Sequence, residues 1–156
     1  MDLKKLAPGE MVTAVSGVLL LVFSFFHWYS VDLGPFGTYS RNGWQSPGAL
    51  WSVLAILLGI VLAAHVIVEK LSGVDLPDRL GSIGWGVMHL AGGALALLFL
   101  IIKLINHSGD SAIGLYLGLI AGIGLFVGGY LMAKEAGELP TQLGGKGGGA
   151  TPPPAA

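Results

Sequence analysis

Four histidines, His27, His65, His89 and His107, stand in or beside long apolar runs of this 156-residue chain. An ionisable ring in such surroundings is costly, so each asks for a reason. His27 and His107 fall at the same end of the apolar runs, with Asp32 and Asp110 near them in sequence. Imidazole nitrogen and carboxylate oxygen are zinc ligands. No metal site is assigned, because the spacing matches no ligand pattern, and the residues nearest to one are His27, His107 and Asp110. His89 shares a helical face with Ser82, Gly86, Gly93 and Ala96, which turns it inward. Its structural role there is a neutral imidazole bonded to a neighbouring hydroxyl or carbonyl. His65, one turn before Glu69 and more than 100° round from Gly59, is expected to face lipid headgroups.

The elements that must carry these rings are four apolar stretches, at about 11–29, 50–68, 83–105 and 112–132. Each is about twenty residues, the length of a helix that crosses a hydrocarbon core of about 30 Å. None has Asp, Glu or Arg in its centre, and none contains proline. The first ends in Phe25-Phe26-His27-Trp28-Tyr29 and lacks the small residues of a signal-peptidase site, so it is expected to remain as a span. The expected fold is an all-α membrane protein, a four-helix transmembrane bundle over 11–133. A short N-terminus (1–10) precedes it, and a Gly/Pro-rich disordered tail (134–156) follows. In the outer connection, 30–49, Asn42-Gly43 suggests a hairpin turn. Pro77 and Asp78 are placed to start the third helix.

Composition supports that class. Hydrophobic residues make up 53% of the chain and charged ones 11%, with mean hydropathy +0.75, whereas soluble domains carry about 25% charged residues. A net charge of −1 offers no basic stripe for nucleic acid. The absence of cysteine excludes disulfides, thiolate metal sites and dithiol redox chemistry. Basic residues divide unevenly: Lys4, Lys5, Lys70, Arg79, Lys134 and Lys146 on one side, Arg41 and Lys103 on the other, where Lys103 can snorkel outward. Positive residues favour the cytoplasm, which places both termini inside and the protein in the cell (inner) membrane as a multi-pass protein.

Small residues repeat along every span. Gly114, Gly118, Gly122 and Gly129 share one face of the fourth, opposite Tyr116, Ile123, Val127 and Tyr130. Ala55, Gly59 and Ala63 do the same in the second. Gly86 and Gly93 do so in the third, and Thr13, Ser16, Gly17 and Ser24 in the first. In lipid the helix is enforced by the need to satisfy the backbone, and small residues let neighbouring backbones approach. Helix packing is therefore assigned to Gly59, Gly86, Gly93, Gly114, Gly118 and Gly122.

The stretch "GEMVTAVSGVLLLVFSFFHWYSV", followed by "NGWQSPGALW", resembles small uncharacterised four-helix integral membrane proteins of actinobacteria. In that group the first span ends in Pro-Trp-Tyr, and an outer loop closes with Ala-Trp before the second. Trp28-Tyr29 and Trp44 match; His27 replaces the proline and Gly43 the alanine. The resemblance implies topology and brings no activity. No enzymatic activity and no cofactor are expected. The function read from these features is that of an accessory or scaffold subunit, its partners the bilayer and a membrane protein or further copies of itself. The alternatives are a small transporter or oligomeric channel for a neutral solute, and a haem-binding redox protein using His65 and His89.

Overall fold

The structure, a computed structural model, describes residues 3–45, 48–77, 79–106 and 110–139. Four helices dominate it: α1 (Pro8–Phe23), α2 (Ala49–Leu71), α3 (Trp85–Ile105) and α4 (Ile113–Glu135). Three of them, α2, α3 and α4, are long and apolar enough to cross a membrane. The first is not. Expected over 11–29, it has 16 residues, about 24 Å at 1.5 Å per residue. It stops because side chains and a loop take over the carbonyls that a further turn would use. The Ser24 hydroxyl donates to the Leu21 carbonyl, and the Trp28 indole N–H donates to that of Phe23 at 2.8 Å. The Gly43 amide donates to the Ser24 carbonyl at 2.9 Å. At its other end α1 starts earlier than expected, with Pro8 at its first position and the Glu10 carboxylate accepting from the Ala7 amide.

The fold is not purely helical. At one end β1 (Tyr29–Asp32) pairs antiparallel with β2 (Thr38–Arg41). Two residues just before α4, Asp110–Ser111, pair with the other edge of β1. The hairpin turn is at 33–37, with the Asp32 carboxylate accepting from the Gly34 amide. Asn42-Gly43 lies beyond β2 and makes a separate turn, the Asn42 side-chain oxygen accepting from the Trp44 amide. Local turn chemistry was legible at Asn42, but the pairing partner was not. At the opposite end β3 (Arg79–Leu80) and β4 (Ile83–Gly84) form a two-residue hairpin, which makes Asp110–Ser111 the fifth strand, β5. This hairpin occupies the place expected for the start of α3. Pro77 precedes it, Asp78 lies outside the described residues, and Ser82 sits exposed in its turn and not on the helix face.

The four helices pack in the cyclic order α1-α2-α3-α4, with α2 and α4 barely meeting across the middle. Leu20, Ile56, Leu100, Leu115 and Leu125, all fully buried, fill the space between them. The tail begins later than expected. The helix α4 runs on to Glu135 and ends in paired turn bonds: the Glu138 amide donates to the Ala133 carbonyl, and that of Gly137 to Lys134. Gly137 takes φ +67°, the left-handed conformation this ending requires. The remainder of the expected tail, 140–156, lies outside the described residues.

Helix contact depends on the glycines, but on more faces than one. A methyl group at Gly93 would lie 2.5 Å from the Leu125 carbonyl oxygen, and one at Gly129 the same distance from the His89 backbone. Gly86 meets the Ala133 backbone and Gly122 the Leu100 side chain, so these four join α3 to α4. Gly59 instead receives Leu20 of α1, while Gly114 and Gly118 receive Trp28. A second glycine face of α4, Gly124 and Gly128, meets Ser16 and Thr13 of α1. Substituting Ala at Gly93 or Gly129 is expected to cost about 1–3 kcal/mol, since backbone must move. Ala at Gly122 should cost less, because it meets the end of a leucine, and Val127→Leu, on the exposed face, should be silent. Thermal unfolding in detergent orders the four variants.

Candidate functional site

The end of the molecule that carries the start of α1 and α3 and the close of α2 and α4 gathers most of its ionisable groups. Helices begin and stop there together, and each beginning leaves amides without partners. Carboxylates supply them. Glu138, turned back by the Gly137 ending, accepts from the Val87 amide at 2.9 Å in the first turn of α3. Glu135 accepts from the Gly9 amide at the start of α1. Glu10 bridges to Lys70 at 3.3 Å, and Lys70 also meets Glu69 at 3.4 Å. Glu10, Glu69, Glu135 and Glu138, with Trp85 and Met132, line a cavity of about 300 Å³. Four carboxylates against one lysine make it electronegative.

Behind its wall lie two histidines. His89, as expected, is buried, 1% exposed. Its Nδ1 is 2.8 Å from the Trp85 carbonyl and its Nε2 is 3.4 Å from that of Leu62. Both partners are carbonyl oxygens, so the ring donates an N–H to at least one of them. His65 departs from expectation. It does not face headgroups: its ring stacks on Trp85 with centroids 3.9 Å apart and lies 4.9 Å from the ring of His89. Among the described residues both its nitrogens are buried without a hydrogen-bond partner, with the Glu69 carboxylate 3.9 Å from Nε2. Helical angle alone misplaced it, because Trp85, at the very start of α3, reaches across to cover it. The 4.9 Å separation also leaves no room for a porphyrin between the two rings, so the pair does not fit a haem held from both faces.

The opposite end is organised by aromatic side chains whose polar atoms reach inward. Trp28 is fully buried. The Trp44 indole donates to the Ser24 hydroxyl at 2.8 Å, and the Tyr29 hydroxyl donates to the Lys103 carbonyl at 2.9 Å. Lys103 does not snorkel outward. It is 1% exposed, with its ammonium 5.0 Å from the centre of the Tyr29 ring, a cation–π distance. His27 and Asp110 are exposed, Asp110 opposite Ser30 in the sheet, and His107 lies outside the described residues. Among the described residues, no three histidine or acidic side chains are arranged to hold a metal ion. Compared with described protein families, curated proteins and solved structures, the chain matches none.

Two outcomes follow from this geometry. Unpartnered buried polar atoms cost stability, about 1–3 kcal/mol per site, so His65→Phe, which keeps the stack on Trp85, should raise the melting temperature in detergent. A fall would mean that the ring nitrogens serve a partner. Burial raises the pKa of Tyr29 above its ordinary 10.0. The unfolded chain therefore loses this proton first, and stability should fall as pH climbs past about 10. Tyr29→Phe should flatten that alkaline limb while losing about 1 kcal/mol at neutral pH with the bond to Lys103. Melting curves from neutral pH to about 11 check both parts.

Proposed function

We propose that this chain is a multi-pass integral membrane protein, a four-helix transmembrane bundle that serves as a non-enzymatic accessory or scaffold subunit. The observation that carries the proposal is the use of small residues: they are consumed in contacts among the four helices, while the outward faces present Val61, Leu98, Ile120 and Ile123. An apolar exterior of this kind suits lipid and the apolar faces of other membrane helices. A route for solute through one copy would have to displace the wholly buried leucines at its centre, so a channel would have to form between copies.

The short α1 is the fourth crossing in this reading. Phe25 and Phe26, both exposed just beyond its end, extend its apolar length toward the outer sheet. Six basic residues on the side of the termini support the reading that this side faces the cytoplasm of a cell-membrane protein. The likeness to the actinobacterial four-helix group belongs to the same proposal. Its matching residues, Trp28-Tyr29 and Trp44, are those that tie the outer sheet to α1 and α3.

Reporter fusions after Asn42 and after Ala156 are expected to report the outer and the cytoplasmic side respectively. An outer-side signal at Ala156 would overturn the topology. Cross-linking in native membranes followed by purification should recover a defined membrane protein or a second copy. Solute flux through vesicles holding the purified protein alone, with no partner recovered, would replace the scaffold reading with the channel.

A further inference from the structure

Three side chains from two helices meet at His65, and their arrangement suits a charged ring better than a neutral one. A neutral imidazole carries one N–H and one lone pair, and at His65 neither finds a partner among the described residues. The side chain is nonetheless enclosed, 10% exposed. One face lies on the Trp85 indole, with centroids 3.9 Å apart and the planes 31° from parallel. Its Nε2 edge turns to the Glu69 carboxylate, 3.9 Å away. That separation is longer than a hydrogen bond and within the reach of an ion pair. An aromatic face and a carboxylate each attract an imidazolium. Neither bonds a neutral ring at these distances.

A proton has a way in. The Glu69 side chain is partly exposed and lines the hollow of about 300 Å³, so its carboxylate stands between His65 and solvent. The charged and titratable groups that act on His65 come from three helices: Glu69 and Lys70 on α2, Glu10 on α1 and His89 on α3. Glu10 and Glu69 hold Lys70 between them. Across the hollow, Glu135 and Glu138, which follow from α4, are turned to the amides of Gly9 and Val87. His89 lies 4.9 Å from His65 with both nitrogens toward carbonyl oxygens. Two positive rings at that distance oppose one another, so the pair holds one proton. The full negative charge of Glu69, against carbonyl dipoles at His89, directs it to His65.

We propose that His65 is a proton-binding site: its Nε2 takes up one proton by way of Glu69, and the imidazolium is held between that carboxylate and the Trp85 ring. The proposal goes beyond the scaffold reading and does not depend on it. Trp85 is the first residue of α3, and its indole N–H donates to the Pro77 carbonyl, in the connection from α2, at 2.6 Å. A proton on His65 therefore tightens the joint between α2 and α3, and its release loosens it.

The test titrates the full chain in detergent micelles from about pH 8 to about pH 5, the range of histidine, and follows isotope-labelled imidazole nitrogens by NMR. His65→Phe and His89→Gln assign the two rings. The His65 nitrogens should move to imidazolium positions with one midpoint while His89 stays neutral. Tryptophan fluorescence should fall at the same midpoint, because a charged ring on an indole quenches it, and His65→Phe should remove that component. Glu69→Gln should weaken proton binding at His65 about tenfold or more, the effect of losing an opposite charge at about 4 Å. Glu135→Gln should leave the midpoint in place. Should Glu69→Gln misfold, Lys70→Met, which removes an opposing charge, should strengthen the binding and move the midpoint the other way. Protonation of His89 before His65, no protonation of either ring above about pH 5, or a midpoint indifferent to the substitution at Glu69 or Lys70 would overturn the site.

Discussion

The close approach of α3 and α4 is the contact on which the remaining structure rests. Gly86 and Gly93 on one helix and Gly122 and Gly129 on the other bring backbone against backbone or against a single leucine. At that distance many weak dispersion contacts accumulate that no larger side chain would allow. The contact also determines what lies at the ends. It sets α4 where its last turn can place Glu138 over the first amides of α3, and it carries His89 inward against Leu62 of α2.

With α3 and α4 joined, α1 is held from two sides. Gly124 and Gly128 of α4 receive Ser16 and Thr13, and Gly17 receives Ala63 and the Gly59 carbonyl of α2. The two ends then differ in kind. One is closed by a small sheet and three aromatic side chains whose polar atoms all find backbone or hydroxyl partners. The other is held by carboxylates that satisfy helix amides and leave an electronegative hollow. Buried polar groups are matched at the first end, and at the second His65 is not.

How much of this was legible in the sequence depends on the range of the interaction concerned. The long apolar runs located α2, α3 and α4 to within a few residues, and the period of small and large residues, which needs only 100° per residue, turned Tyr116, Ile123, Val127 and Tyr130 outward, as found. They also placed His89 inside. They failed where a distant partner decides the outcome. The end of α1 is set by Gly43 and Trp28, the strand at 110–111 exists only through β1, and His65 is covered by a tryptophan twenty residues on. Lys103 was misjudged for the same reason, since Tyr29, seventy-four residues away, roofs it. Two glycine faces on α4 were read as one because a helix with glycine on several sides gives no single direction.

The three-stranded sheet has a consequence for the order in which the molecule can be made. Its central strand follows the first helix, and one of its edges is supplied by residues that precede the last. Chain growth therefore leaves β1 half-paired, and α1 without its α4 neighbour, until some eighty residues more have been synthesised. Contacts so far apart in sequence form late. The third strand of the cap and the glycine seams between first and last helix can close only when β5 and α4 arrive.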